Sequence, residues 1–162
     1  MHGLEAPCYV VGTMNHQLNI DFSIYKEFLT TKKEGDKHYI FDPIRKKYLV
    51  LQPEELVRQL VLEYLIREKN YSKNRIQVER LFTVNTRRKR CDILIFDEDT
   101  QPYLLVECKS AKIEITQATF DQIARYNLEL NVPYLLLTNG LVTYCCRMNH
   151  EKESYEFLEE IP

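Results

Sequence analysis

Two short segments decide the fold, CDILIF at residues 91–96 and LLVECK at residues 104–109. Their content of Leu, Ile and Val is typical of buried β-strands. The residues between them, DEDTQP at 97–102, are polar and end in proline, as turns often do. We therefore predict two strands, over residues 91–96 and 103–109, that are joined in a hairpin or meander.

Charged residues interrupt both apolar segments. Glu107 and Lys109 are two residues apart, so in a strand they project from the same face. If the turn is centred between Asp99 and Thr100, the numbers of paired residues sum to 199, and Asp92 lies directly opposite Glu107. The Cβ atoms of opposite residues are about 4.5–5.5 Å apart. The sequence thus predicts two carboxylates and one ammonium group together on one face.

Two carboxylates at that separation need a shared proton or a cation. Carboxylate oxygens with room for water suit Mg²⁺, with Mn²⁺ as a substitute, whereas zinc prefers nitrogen and sulfur ligands. The four histidines are scattered and the five cysteines show no C-x-x-C spacing, which disfavours zinc. Beside such an ion, Lys109 would stabilise charge on a phosphorus centre and help to position water. The competing interpretation is an ordinary ion pair on the wet face of a sheet.

Helical and strand patterns flank this hairpin. Pro53, followed by Glu54 and Glu55, marks the start of a helix that runs to about residue 69. Thr116 is predicted to cap a second helix that ends near residue 130. Further strands are predicted at residues 39–41, 48–51, 76–84, 134–138, 141–147 and 155–158. The order α-β-β-β-α-β-β from residue 53 predicts an α/β or α+β fold, with a mixed sheet flanked by helices.

Length and charge narrow the options further. The 162 residues fit one domain, which we place at residues 37–162, after an irregular N-terminal extension at residues 1–36. The net charge of −2 is not that of a protein that coats nucleic acid, so any such contact must be local. A basic run at residues 87–90 is either a solvated turn or such a contact. No apolar stretch approaches a membrane span or a leader sequence, so we expect a cytoplasmic protein without membrane contact.

Asp92, a hairpin-length gap and Glu107-Cys108-Lys109 resemble the PD-(D/E)xK signature of restriction-endonuclease-like nucleases. Residues 53–147 are similar to the N-terminal nuclease domain of type I restriction enzyme R subunits and to small stand-alone relatives. The resemblance implies a deoxyribonuclease that depends on Mg²⁺. Asp92 and Glu107 would bind the metal, joined by Glu63 of the first helix and the Cys108 carbonyl, and Lys109 would assist the nucleophile.

The resemblance also implies contacts with nucleic acid. Gln122 and Tyr126 share a helix face at i and i+4 and resemble the Q-x-x-x-Y motif of the RecB-like branch. They would complete the catalytic site and orient the substrate backbone, while Arg88 and Arg90 would reach DNA phosphates. The partners implied are DNA and either a second copy of the chain or another component of a restriction system.

Two other interpretations remain open. One is a nuclease-fold module that binds DNA or a restriction complex without cutting, and the other is an unrelated α/β domain whose acidic residues decorate its surface. The chain also departs from the R subunits, because it has no G-x-x-x-x-G-K-[ST] loop for an ATP-driven motor. It has no recognisable helix-turn-helix or finger either, so sequence-specific recognition is not indicated.

Overall fold

The computed structural model describes residues 16–84 and 86–162, without the side chains of residues 84, 126, 128 and 129. Short 3₁₀ helices lie at Phe22–Phe28 and Lys73–Arg75. The helices and strands within the described residues are β1 (Thr31–Glu34), β2 (Lys37–Asp42), β3 (Lys47–Val50), α1 (Pro53–Arg67), β4 (Ile76–Val84), β5 (Arg87–Phe96), β6 (Pro102–Cys108), α2 (Gln117–Leu130), β7 (Tyr134–Thr138), β8 (Thr143–Asn149) and β9 (Ser154–Phe157).

The strands form two sheets. Strands β1, β2 and β3 make a small antiparallel sheet. The other six strands lie in the order β4-β5-β6-β7-β8-β9. Neighbours in this large sheet are antiparallel except β6 and β7, which are parallel because α2 carries the chain across one face between them. The predicted mixed sheet with flanking helices is therefore confirmed.

The two α-helices cover opposite faces of the large sheet. One hydrophobic cluster joins α1 to alternate residues of the central strands, including Val61, Leu65, Ile93, Leu104 and Val106. The other cluster joins α2 to the intervening residues, including Phe120, Ala124, Leu94 and Leu105. Adjacent Cys145 and Cys146 fall in different clusters, so they point to opposite faces of the sheet.

Local signals place the helix ends as predicted. Pro53 occupies the first turn of α1 with Glu54 and Glu55, where acidic side chains favour the positive end of the helix dipole. Thr116 caps α2, because its hydroxyl oxygen accepts a hydrogen bond from the Thr119 N–H at 3.2 Å. The left-handed backbone of Asn131, with φ of 56°, ends that helix.

Three segments differ from the sequence-based expectation. Within the segment expected to be irregular, residues 22–28 form a 3₁₀ helix and residues 31–34 form β1. The basic run at residues 87–90 belongs to β5 and not to a turn. Strand β8 begins two residues later than predicted, because the Asn139 side-chain oxygen accepts hydrogen bonds from the N–H groups of Leu141 and Val142 and holds them in the turn.

The turns at the two ends of the sheet are built differently. In the β7–β8 turn, Gly140 has φ of 88°, and a Cβ atom there would lie 3.3 Å from Val57 of α1. The β5–β6 turn is stabilised from within, since the Asp97 carboxylate accepts hydrogen bonds from the N–H groups of Asp99 and Gln101. Only the first of these turns is in tight contact with a helix.

Neither α-helix in the described residues has the length and apolar run that a membrane span requires.

The central strands should carry much of the stability. Leu104→Ala removes a fully buried side chain of β6, so we expect the free energy of unfolding to fall by about 2–5 kcal/mol. Leu141→Ala, at a side chain that is 70% exposed, should change it by less than about 0.5 kcal/mol. Urea denaturation followed by circular dichroism measures both. Equal effects of the two substitutions would contradict the assigned core.

Candidate functional site

The pairing of β5 with β6 brings two acidic residues together. Ile93 pairs with Val106, and Asp92 and Glu107 are the residues that adjoin this pair on the two strands. The numbers of the central pairs sum to 199, as predicted, but the register shifts between Ile95 and Phe96, and Phe96 pairs with Pro102, so the turn is not centred where it was predicted. The backbone N–H of Cys108 donates a hydrogen bond of 2.7 Å to the Asp92 carboxylate, which is buried. The strand register thus fixes both carboxyl groups at one place on the sheet.

The alternation of side chains is interrupted where Asp92 lies. Cys91 and Leu94 belong to the same hydrophobic cluster although they are three residues apart, whereas regular alternation would place them on opposite faces. Across the pairing in β4, the neighbouring Glu79 has φ of 54°, a conformation that residues other than glycine rarely adopt. The two strands are therefore locally distorted at the position of the site.

The two carboxyl groups interact directly. Burial raises the pKa of Glu107 to about 9, and the charge of Asp92 and a hydrogen bond between the two side chains act in the same direction. The ammonium groups of Lys109 and Lys89 oppose this rise in the pKa. In the absence of a cation, the pair therefore retains one proton at neutral pH.

Helix α1 contributes a third carboxylate. Partial burial and the charge of Asp92 raise the pKa of Glu54, whereas the charges of Lys109 and Arg58 lower it. Glu54 is exposed to solvent, unlike Asp92. The first turn of α1 therefore places Glu54 within electrostatic range of both Asp92 and Lys109.

Arg58 links α1 to the sheet beneath the site. Its guanidinium group is buried and pairs with Glu79 of β4 and, at 2.7 Å, with Glu55. Burial opposes the charge of Arg58, but Glu55, Asp92 and Glu79 together raise its pKa. Glu79 also pairs with Arg90 of β5 at 2.7 Å. This network holds the first turns of α1 against the distorted part of β4 and β5.

Lys109 follows directly on β6. Its backbone N–H donates a hydrogen bond of 2.9 Å to the Thr138 carbonyl of β7, which continues the parallel pairing past the end of β6. Its side chain is partly buried, and its charge acts on both Glu54 and Glu107. Asp92, Glu107 and Lys109 are thus brought together.

The profile of one protein family, the type I restriction enzyme R protein N terminus, matches residues 53–162. The chain belongs to this family. The matched region contains α1, α2 and all six strands of the large sheet, whereas β1, β2 and β3 lie outside it.

A solved structure also matches the chain. It is a fragment of a putative HsdR subunit of a type I restriction enzyme from Vibrio vulnificus YJ016, with 18% identity and a TM-score of 0.47. The match covers 68% of this chain and 24% of that chain, so the present chain spans about a quarter of the length of that fragment. A search of curated proteins found no match.

One residue predicted from the family resemblance lies elsewhere. Glu63 is buried and pairs with Arg67 at 2.7 Å. It follows Glu54 by nine residues, about two and a half helical turns, and so lies on the opposite side of α1. Glu54, in the first turn of α1, is a carboxylate whose pKa is raised by the charge of Asp92.

The predicted nucleic-acid contacts have mixed positions. Gln122 is exposed on α2, and no described contact joins it to the carboxyl pair. The side chain of Tyr126 lies outside the described part of the chain.

Arg88 is exposed on β5, whereas Arg90 is engaged with Glu79. Lys89 lies between these two arginines and was not among the predicted site residues. Its charge acts on Glu107. Strand alternation could have identified it, since Lys89 and its neighbours must face opposite sides.

The donor set is compatible with magnesium. Within residues 16–84 and 86–162, no three or more His, Cys, Asp and Glu side chains are grouped so that they could hold a metal ion. The carboxyl pair by itself offers two oxygen ligands, and Mg²⁺ commonly takes one or two carboxylates and keeps several waters. The proton shared by Asp92 and Glu107 marks the point at which a positive charge is needed.

The raised pKa of Glu107 makes stability depend on pH. The folded protein keeps the Glu107 proton up to a pH of about 9, whereas an unfolded chain releases it near pH 4.3. In EDTA, the free energy of unfolding should therefore decrease as the pH rises through this window. Glu107→Gln should flatten the decrease, and Glu98→Gln, at a side chain that is 87% exposed, should leave it unchanged. Urea denaturation at several pH values measures this, and a Glu107→Gln protein with the wild-type slope would contradict the shared proton.

Proposed function

We propose that this chain is a nuclease domain of a restriction or DNA-processing system that hydrolyses phosphodiester bonds in DNA with Mg²⁺, for which Mn²⁺ can substitute. The observation that carries the proposal is the hydrogen-bonded carboxyl pair of Asp92 and Glu107, which adjoins the ammonium group of Lys109. Membership of the restriction R protein family supports the same activity.

The residues divide the chemistry between them. Asp92 and Glu107 would hold the metal ion, together with the Cys108 carbonyl and water. A cation bound there would neutralise the paired carboxylates and lower the pKa of a bound water. Lys109 stabilises charge on the phosphorus centre and orients the attacking water. Glu54 of α1, whose pKa responds to the charges of Asp92 and Lys109, would act on the metal ion through its charge, whereas the family resemblance assigns Glu63 as a ligand.

Substrate contacts come from residues around this pair. Lys89 of β5, whose charge acts on Glu107, would meet DNA phosphates. Arg88 and Arg90 remain proposed phosphate contacts, and Arg90 would first have to leave Glu79. Gln122 and Tyr126 of α2 remain proposed contacts to the substrate backbone. A second copy of the chain or another restriction component is the proposed partner.

A second candidate is a module that binds DNA or a restriction complex without cutting it. The observation that favours it is the small donor set, since the described residues offer no cluster of three or more metal-binding side chains. The two candidates differ in whether Lys109 is needed for turnover.

Cleavage assays separate the two candidates. Supercoiled plasmid and single-stranded circular DNA are incubated with the protein and Mg²⁺ or Mn²⁺. Wild type should nick or degrade DNA, and Lys109→Ala should lose at least about a hundredfold in rate, because one stabiliser of transition-state charge is removed. Lys152→Ala, an exposed lysine in the β8–β9 turn, should cut as wild type does. Absence of metal-dependent cleavage by wild type would favour the binding module.

Metal binding tests the assignment within α1. Titration calorimetry with Mn²⁺ should show binding that Asp92→Asn abolishes. Glu54→Gln should weaken binding by about tenfold, whereas Glu63→Gln should leave it within about twofold. The two substitutions remove the same charge from opposite sides of one helix. The reverse pattern would support Glu63 as the carboxylate of α1 that contributes to metal binding, and not Glu54.

A further inference from the structure

The small sheet carries aromatic residues on one face. Lys32 pairs with Tyr39, Tyr39 also pairs with Val50, and Phe41 pairs with Tyr48, so all of these side chains share a face. We call this face, formed by Lys32, Lys37, Tyr39, Phe41, Tyr48 and Val50, the aromatic face. The whole sheet lies outside the segment that matches the restriction family, so the family does not account for it.

The aromatic face is not part of the hydrophobic core. The opposite face of the sheet contains Ile40 and Asp42, both fully buried. On the aromatic face, Tyr48 is 39% exposed and Val50 is 47% exposed. None of its rings belongs to either hydrophobic cluster of the described residues. Folding of the domain therefore does not explain why three rings stand side by side here.

The rings are arranged around a lysine. The Phe41 and Tyr48 ring centroids are 5.3 Å apart, and the Lys32 ammonium group lies 4.2 Å from the centroid of Tyr48. Glu34 forms an ion pair of 2.6 Å with Lys32 and keeps the charge of the lysine at the edge of the rings. A polyanion could replace Glu34 at this ammonium group, since an exposed pair of this kind contributes little.

The sheet is basic in an acidic chain. Residues 31–50 contain six Lys and Arg against three Asp and Glu, whereas the whole chain contains 22 against 24. One of those three acids, the buried Asp42, is already paired with Arg45. No carboxylate in the described part of the chain forms an ion pair with four of the basic side chains, Lys33, Lys37, Lys46 and Lys47.

We propose that the aromatic face binds single-stranded DNA, with bases stacked on Tyr48 and its neighbouring rings and phosphates paired with the surrounding lysines. Exposed rings on a sheet with a basic border are suited to unpaired bases, since every base has a π-face. Duplex DNA hides those faces in its own stack and fits the rings poorly. This inference depends on the proposed function in one respect, which is that the substrate is DNA.

The sheet is attached next to the proposed cleavage site. Arg45, in the β2–β3 turn, binds the Asp42 carboxylate at 2.8 Å and lies 3.6 Å from Glu55 in the first turn of α1. The adjacent residue, Glu54, is the one that acts on Asp92. Single-stranded DNA bound on the aromatic face would therefore lie beside the end of the domain that carries Asp92 and Glu107.

Fluorescence anisotropy tests the proposal. The probe is a fluorescein-labelled oligothymidylate of about 15 nucleotides, a length typical of single-strand sites, in EDTA so that no cleavage occurs. Tyr48→Ala should weaken binding by about fivefold or more, and Tyr48→Phe, which keeps the ring, should bind within about twofold of wild type. Lys37→Gln should reduce the slope of log K against log salt by about 0.7, and Lys152→Gln should not. A duplex of equal length should bind more weakly and respond little to Tyr48→Ala.

Each outcome decides the matter. Wild-type affinity in a folded Tyr48→Ala protein, or a Lys37→Gln protein with an unchanged salt slope, would overturn the proposal. So would tighter binding of the duplex than of the oligothymidylate. The result is independent of the nuclease assignment. The protein could bind the oligothymidylate as expected and still not cut DNA. It could also cut DNA normally although Tyr48→Ala leaves binding unchanged.

Discussion

The site depends on one constraint, which is that the carboxyl groups of Asp92 and Glu107 lie in hydrogen-bond contact at a poorly hydrated place in the sheet. Two negative charges cannot share such a place, so the pair must hold a proton or a cation. The surroundings already compensate part of this charge. The Cys108 N–H binds Asp92, Lys109 and Lys89 oppose the rise in the pKa of Glu107, and Arg58 lies beneath. These groups come from β5, from the end of β6 and from α1. All of them surround the one carboxyl pair.

The sequence predicts this pair well, because two simple periodicities coincide there. Side chains alternate along a strand, and a hairpin turn sets which residues lie opposite each other. Together they predict that Asp92 lies opposite Glu107, and the register of the adjoining pair, Ile93 with Val106, agrees. The Thr116 cap and the break at Asn131 likewise depend only on neighbouring residues, so the limits of α2 were predictable. Local chemistry therefore sufficed for the central pairs of the hairpin and for both helices, but not for the register shift between Ile95 and Phe96.

Features that depend on packing were not predictable in this way. The choice between Glu54 and Glu63 depends on how α1 is rotated against the sheet, and its apolar residues spread too widely around the helix to fix that rotation. Glu63 instead satisfies its charge with Arg67, one turn further along. Strand β1 has no buried residue and no alternation, so only its pairing with β2 makes it a strand.

The unequal turns of the large sheet have a consequence for engineering this protein. A side chain at Gly140 would meet Val57 at 3.3 Å, and the strand before this turn fixes the Lys109 backbone through Thr138. Lengthening the chain there would shift Lys109. The β5–β6 turn, by contrast, points its residues 98–101 into solvent and closes its own hydrogen bonds through Asp97. An affinity tag or a fused domain could be inserted at that tip while the chemistry at the opposite end of the same hairpin stays in register.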